Sequence, residues 1–221
     1  MKVAILGYGK MGKEIEKIIL KRKYKILIKT NSKSQIDINK LKKCDLAFEF
    51  TNPDSAFGNI QLCLKNKVSV VSGTTGWKIR KKTIQDLCEK NKVSFLHGSN
   101  FSTGINLIKN IIPEINLFAK NNNDFSISIK EKHHKYKLDS PSGTAIDLKN
   151  ILKNKNIKIE SERNSKKEIG FHEITIKSKE ETIKIQHQAN ERYLFALGAV
   201  KYGEKIKHKT GYFNLDLKKI F

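Results

Sequence analysis

The sequence predicts an α/β protein in which a doubly wound parallel sheet is joined to a smaller α+β domain with a mixed or antiparallel sheet. Three observations carry this. Short apolar runs alternate with amphipathic stretches up to Asn100. A glycine turn, GYGKMG at 7–12, separates the first apolar run from the first amphipathic stretch. Beyond Asn100 the pattern changes to one long helical stretch and then to segments of strict apolar–polar alternation. Strands that alternate with helices imply a parallel sheet covered on both faces, and strict alternation implies half-covered strands of another sheet.

The elements follow in order. Residues 2–6 read as a strand, and 10–21 as a helix with Met11, Ile15, Ile18 and Ile19 on one face. Strands are expected at 25–28, 46–50, 68–72 and 93–96. A helix opens at Asn52-Pro53, because proline suits a first turn, and another covers 83–91. Residues 103–119 form a long helix despite Pro113, and 121–123 a polar turn. Residues 125–133 alternate as a strand with Phe125, Ile127 and Ile129 on one face, and 142–152 read as a helix. Residues 154–167 are polar and irregular and are expected to be a loop. Residues 169–177 and 182–188 are antiparallel strands, 192–205 return to helical spacing, and a short helix is expected around 214–220. The resulting division is a dinucleotide-binding domain over 1–103, completed by 192–221, and a substrate and oligomerisation domain over 104–191.

Composition narrows the function classes. The 221 residues suffice for one large or two small domains, at roughly 100–200 residues each. Three prolines, three cysteines and 13 glycines exclude collagen-like and disulfide-dense scaffolds. No apolar run approaches the ~20 residues of a membrane-crossing helix, so no membrane partner is expected. The start has no signal-peptide layout, and Cys44, Cys63 and Cys88 form no CxxC pair. Buried, reduced thiols in a cytoplasmic protein are the expectation. The net charge of +22 suggests a polyanion partner at first sight. Yet only Arg22, Arg80, Arg163 and Arg192 among the 44 basic residues are arginine, and the lysines are scattered. Base readout prefers arginine forks, so no nucleic-acid partner is expected. The charge instead draws anionic small molecules.

The candidate site residues fall into two groups. Gly7, Tyr8, Gly9, Lys10, Met11 and Gly12 spell GxGxxG between a strand and a helix. Small residues there let the backbone approach a pyrophosphate at the helix N-terminus. The stretch 29–34 after the second strand has no carboxylate to hold a ribose diol, and Asp37 comes late. That favours NADPH, with NADH as the alternative. Gly73, Thr74 and Thr75 follow the fourth strand, and Gly98, Ser99, Asn100 and Phe101 the fifth. Carboxyl ends of parallel strands carry ligands, so both loops are cofactor-binding candidates. The second group is EKHHKYKLDSPSGTA at 131–145, the densest polar cluster. A histidine exchanges protons near neutral pH. His133 and His134, adjacent on a strand, point to opposite faces and make a poor metal pair, so no metal is expected. Lys137 can anchor a carboxylate, and the hydroxyls and N–H groups from 139 to 145 offer a second anion pocket. The isolated histidines His97, His172, His187 and His208 read as structural or solvated.

Taken together these segments resemble the dihydrodipicolinate reductase family across nearly the whole chain and in the same order. They are GYGKMG at 7–12, EFTNPDSA at 49–56, SGTTGW at 72–77, GSNFSTGIN at 98–106, EKHHKYKLDSPSGTA at 131–145 and RYLFALGAV at 192–200. The 131–145 block is highly specific to that family. The resemblance implies nicotinamide-dependent reduction of a cyclic dicarboxylate derived from 4-hydroxy-tetrahydrodipicolinate. It implies His133 as proton donor and acceptor, and Lys137 as second proton donor and carboxylate ligand. It makes His134, Gly143 and Thr144 substrate-binding, and implies a homotetramer built through the sheet of the substrate domain. The chain is shorter than many members, chiefly between the second and third strands and around 154–167, and lacks the usual acidic or arginine residue after the second strand.

Overall fold

The computed structural model describes residues 1–31, 34–153 and 156–215. The chain forms two compact units, Met1–Phe101 with Tyr193–Phe221, and Ser102–Arg192.

The first unit alternates β1 (Lys2–Leu6), α1 (Lys10–Lys21), β2 (Lys25–Thr30), α2 (Ile38–Leu41), β3 (Leu46–Glu49), α3 (Pro53–Lys65), β4 (Ser69–Ser72), α4 (Lys81–Asn91) and β5 (Ser94–His97). Its six strands lie in the order β10-β5-β4-β3-β1-β2, all parallel, where β10 is Gly211–Asn214. Val3 and Ile5 point to one face, with Ile15, Ile18 and Ile19 of α1 and Ala199 and Val200 of the late helix. Ala4 and Leu6 point to the other, with Ile60 and Leu64 of α3 and Ile84 of α4. Burial on both faces explains why these strands read as unbroken apolar runs. Cys44, Cys63 and Cys88 are buried free thiols in the second cluster, and desolvation lifts Cys44 to about 11 and Cys88 to about 12.

Two local features differ from the elements expected. The short helix expected around 214–220 gives way at its start to β10, whose four residues pair with Ser94–His97; residues 216–221 lie outside the described residues. A four-residue strand is too short to show alternation, so its pairing with β5 decides. The one-turn α2 escaped the periodicity altogether. Asp37 opens it by accepting from the Asn39 and Lys40 amides.

The second unit begins with α5 (Thr103–Asn121), which runs through Pro113, and continues with β6 (Ser126–His134), α6 (Gly143–Ile151), β7 (Lys158–Ser165), β8 (Gly170–Lys177) and β9 (Thr182–Ala189). The helix α7 (Tyr193–Ile206) then belongs to the first unit. The second sheet has the order β7-β6-β8-β9; β7 is parallel to β6 and the other pairs are antiparallel. Ile108, Ile112 and Ile115 of α5 and Leu148 of α6 pack with Ile127, Ile129, Ile174 and Ile176 of the sheet.

The loop expected at 154–167 is therefore largely wrong, because Lys158–Ser165 is an edge strand. Its sequence, KIESERNS, has no apolar alternation to reveal it. Cross-strand ion pairs support it instead: Lys130 Nζ to Glu160 at 2.9 Å, Lys130 to Glu162 at 2.5 Å and Lys132 to Glu162 at 3.1 Å. Asn154 and Lys155 lie outside the described residues.

Candidate active site

In the first unit, β1 lies between β2 and β3, so the chain's direction of winding reverses beside it. GYGKMG leaves the carboxyl end of β1 at that switch point, where open α/β sheets bind ligands. Gly7 has φ of +95°, and a Cβ there would collide with the Phe50 carbonyl. A Cβ on Gly12 would collide in turn with the Gly7 carbonyl. Both glycines are thus required by the turn. Gly9 caps α1 with no side-chain bond to its amides, and the first turn of α1 carries no acidic residue. The helix start is suited to an anion. Tyr8 and Lys29 both bond the Glu16 carboxylate, Lys29 at 3.0 Å, and Tyr8 holds that carboxyl below its ordinary range.

The neighbouring loops are laced to one another. The Phe50 amide donates to the Leu6 carbonyl at 2.8 Å, Gly73 to that of Glu49 at 3.0 Å, and Gly98 to that of Ser72 at 3.2 Å. At the centre is the fully buried Glu49 carboxylate. It accepts from the Thr51 amide at 3.0 Å, the Ser72 hydroxyl at 2.6 Å, the Thr74 hydroxyl at 3.0 Å and the Thr51 hydroxyl. Trp77 Nε1 donates to the Thr74 carbonyl at 2.8 Å. Phe101 is buried, 5.8 Å from Phe50 and 6.4 Å from Tyr202 between ring centroids, so its side chain serves the core.

In the second unit, β6 turns its helix-covered face from apolar to ionisable. Ile127, Ile129, Glu131 and His133 alternate inward and are all buried, whereas His134 faces the other way and is only half-buried. Register extends this across the sheet: Ile129 pairs with Ile174 and Ile174 with Ile185; one pleat on, Glu131 pairs with His172 and His172 with His187. His133 Nδ1 bonds Glu131 Oε2. Glu131 Oε1 accepts from Arg163 Nη2 at 2.6 Å and from the Ser142 amide at 3.3 Å. Burial pushes the Glu131 carboxyl up, but the Arg163 and His133 hydrogen bonds outweigh it and leave it below the ordinary range. Burial likewise pulls His133 down, with Lys137 and Arg163 adding to the effect and Glu131 opposing it.

His172 stands 5.2 Å from His133 and 6.4 Å from His187 between ring centroids. Desolvation, with His133 adjoining, lowers His172 to about 3, so it is neutral. His172 Nε2 lies 3.3 Å from the Ser142 hydroxyl, and His187 Nε2 lies 2.9 Å from that of Ser102. Glu131, His133 and His172 place one possible ligand atom each within 4.8 Å of one another. The Arg163 guanidinium and the Ser142 amide already hold that carboxylate, an arrangement suited to a hydrogen-bonded network rather than to a second cation.

After β6, Lys137 Nζ meets Asp139 at 2.7 Å. Burial raises the Asp139 carboxyl, but hydrogen bonds from Lys137 and the Gly143 backbone pull it below its ordinary range. Ser142 caps α6 by accepting from the Ala145 amide at 3.2 Å. Gly143 and Thr144 open that helix, with no acidic residue in its first turn and open space around Gly143. His134 Nε2 lies 3.1 Å from Arg192 Nη2. The predicted residues 133, 134, 137, 143 and 144 thus all lie around one strand end and one helix start. Sequence reasoning missed the groups behind them. In the sequence Glu49 and Glu131 stand only as letters of longer motifs, Arg163 falls in the expected loop, and His172 and His187 read as isolated. Two-residue spacing from His133 is the signal that marks Glu131; the other contacts are made by pairing distant segments.

The fold and these clusters define a two-unit protein with a Rossmann-type sheet and an α+β unit that carries a buried Arg–Glu–His arrangement. The chain belongs to the dihydrodipicolinate reductase family. The family description "Dihydrodipicolinate reductase, N-terminus" matches residues 1–101, and "Dihydrodipicolinate reductase, C-terminus" matches 104–218. The 4-hydroxy-tetrahydrodipicolinate reductase of Christiangramia forsetii is 37% identical over 97% of this chain and 96% of its own length. That of Wigglesworthia glossinidia brevipalpis is 40% identical over 79% of this chain and 67% of its own. Among solved structures, dipicolinate-bound dihydrodipicolinate reductase from Paenisporosarcina sp. TG-14 shares the fold at a TM-score of 0.78 and 23% identity, covering 97% of both chains.

Proposed function

We propose that this chain reduces 4-hydroxy-tetrahydrodipicolinate, through dihydrodipicolinate, to tetrahydrodipicolinate, a step of the diaminopimelate route to lysine. The observation that carries the reading is the convergence of His133, Lys137 and the Gly143–Thr144 helix start in one unit of a chain of this family.

The reductant is a nicotinamide dinucleotide, which supplies hydride when bound. The turn whose Gly7 and Gly12 leave no room for a Cβ, and the uncapped start of α1, fit a pyrophosphate. Gly73, Thr74 and Thr75, with Gly98 to Asn100, would hold the nicotinamide side. NADPH is the preferred form in this reading. Lys29, Thr30, Asn31 and Ser34 present no carboxylate to a 2′-phosphate, and Glu16 is engaged by Tyr8 and Lys29. Ser32 and Lys33, part of the same reading, lie outside the described residues.

The substrate is a dianion. Lys137 and the amides of Gly143 and Thr144 neutralise one carboxylate, and the Asp139 carboxylate that meets Lys137 gives way to it. Reduction of the conjugated ring pushes electron density towards an enamine carbon. His133, charged at that moment, donates the one proton that balances the hydride, and Lys137 is the second candidate donor of that proton. Prepaid positioning and charge stabilisation provide most of the rate. A cytoplasmic homotetramer joined through the sheet of the second unit completes the reading; Ile183 on the edge strand β9 is 41% exposed.

Reduced-nicotinamide absorbance tests the proposal, with freshly generated substrate and NADPH and NADH in parallel. Substrate-dependent oxidation, faster with NADPH, is expected. Folded protein that oxidises neither would overturn the reading, and a faster rate with NADH would overturn the cofactor preference.

A further inference from the structure

We infer that Glu131 and Arg163 are positioning residues that lock His133 in its Nδ1–H form, so that Nε2 is the nitrogen that exchanges the proton. The inference rests on the proposed reduction for its kinetic consequences, but its structural content stands apart from it.

The geometry is specific. A carboxylate can only accept a hydrogen bond, so the His133 Nδ1 that bonds Glu131 Oε2 carries the hydrogen. The other oxygen of Glu131 is held by Arg163 Nη2 at 2.6 Å and the Ser142 amide at 3.3 Å, which leaves the carboxylate one orientation. Arg163 is anchored in turn: Nη1 donates to the Glu162 carbonyl at 2.8 Å and Nη2 to that of Asp139 at 2.9 Å. Arg163 comes from β7, the strand that the Lys130 and Lys132 pairs with Glu162 hold in register. The opposite edge of the imidazole faces a glycine. A Cβ on Gly170 would stand 3.2 Å from His133 Nε2 and 3.5 Å from its Cδ2. One side of the ring is therefore clamped and the other kept clear of side chains from β8.

The charged and titratable groups around the ring are Glu131 on its own strand, Arg163 from β7, neutral His172 from β8 and Lys137 from the following loop. Glu131 is the anion among them and supports the imidazolium against burial and the two cations. Without it, the ring is free to take the other tautomer and holds its charge only at lower pH.

The test has two arms on the full-length protein. Nitrogen-15 NMR of the wild type is expected to show neutral His133 protonated at Nδ1. Neutral His133 protonated at Nε2 would overturn the inference, whether or not the protein turns over substrate. In the kinetic arm, Glu131→Gln is expected to lower kcat at least tenfold, change KM less than threefold and shift the alkaline fall of kcat to lower pH. Arg163→Lys should retain more of kcat than Arg163→Met. Gly170→Ala should lower kcat with the tautomer unchanged. Folded Glu131→Gln with the wild-type kcat and pH profile would overturn the assignment, as would equal kcat for the two Arg163 variants.

Discussion

As the proposed proton donor, His133 can act only while it is charged, and its surroundings act on that charge in opposite directions. Burial, Lys137 and Arg163 lower its affinity for the proton and Glu131 raises it. The net direction is down, so kcat should fall with rising pH through a limb below the ordinary histidine value of about 6.5. His133→Gln should lower kcat by ~100-fold or more and change KM much less, as steady-state kinetics would show. His172 makes a prediction of another kind. Its folded value is about 3, against about 6.5 when unfolded. Between those values the unfolded chain binds the extra proton, so stability is full above about pH 6.5 and falls as pH drops towards about 3. Urea unfolding should show that slope, and His172→Gln should flatten it; an unchanged slope would contradict the burial argument. His133 itself was legible from its motif. Its surroundings were only half legible, because Glu131 shares its strand whereas Arg163 is 32 residues from Glu131 in sequence.

At the scale of elements, the strands and helices that bury a continuous apolar face were readable. β1 to β5 and α1 declare themselves because both faces of the first sheet are covered. β7 was not readable, because ion pairs with β6 hold it where apolar alternation would otherwise show, and β10 was too short. The glycine turn was readable as a tight strand-to-helix turn, in which Gly7 and Gly12 leave no room for a Cβ. The knot behind the neighbouring loop was not, because it gathers donors from the ends of two strands onto Glu49. That knot predicts a specific effect. Glu49→Gln should raise the KM for the nucleotide roughly tenfold, since a hydrogen bond to a charged group contributes about 1.5–3 kcal/mol. The KM for the dicarboxylate should stay as it was. A rise in both would show that Glu49 supports the fold at large rather than its own loops. Ser142→Ala removes the cap of α6 and should cost about 1 kcal/mol, read as a lower Tm.

At the scale of the whole molecule, the +22 charge is carried mainly by scattered lysine. Its expected consequence is attraction of the two anions that the proposed reaction consumes, a reduced dinucleotide and a dicarboxylate. Both KM values should therefore rise from low to high salt, as the screening length shrinks from about 10 Å at 0.1 M to about 3 Å at 1 M. Salt-independent KM values would leave the charge without a part in catalysis. Among the described residues no helix is long and apolar enough to cross a membrane. The central claim is the reduction itself, and isotope transfer tests it most directly. With the nicotinamide C4 position deuterated on the transferred face and the substrate generated in place, mass spectrometry should find the cyclic product one mass unit heavier, with one deuterium. In His133→Gln the labelled product should form more slowly, in step with the lower kcat. A product without deuterium, or no product from folded wild-type protein, would contradict the account.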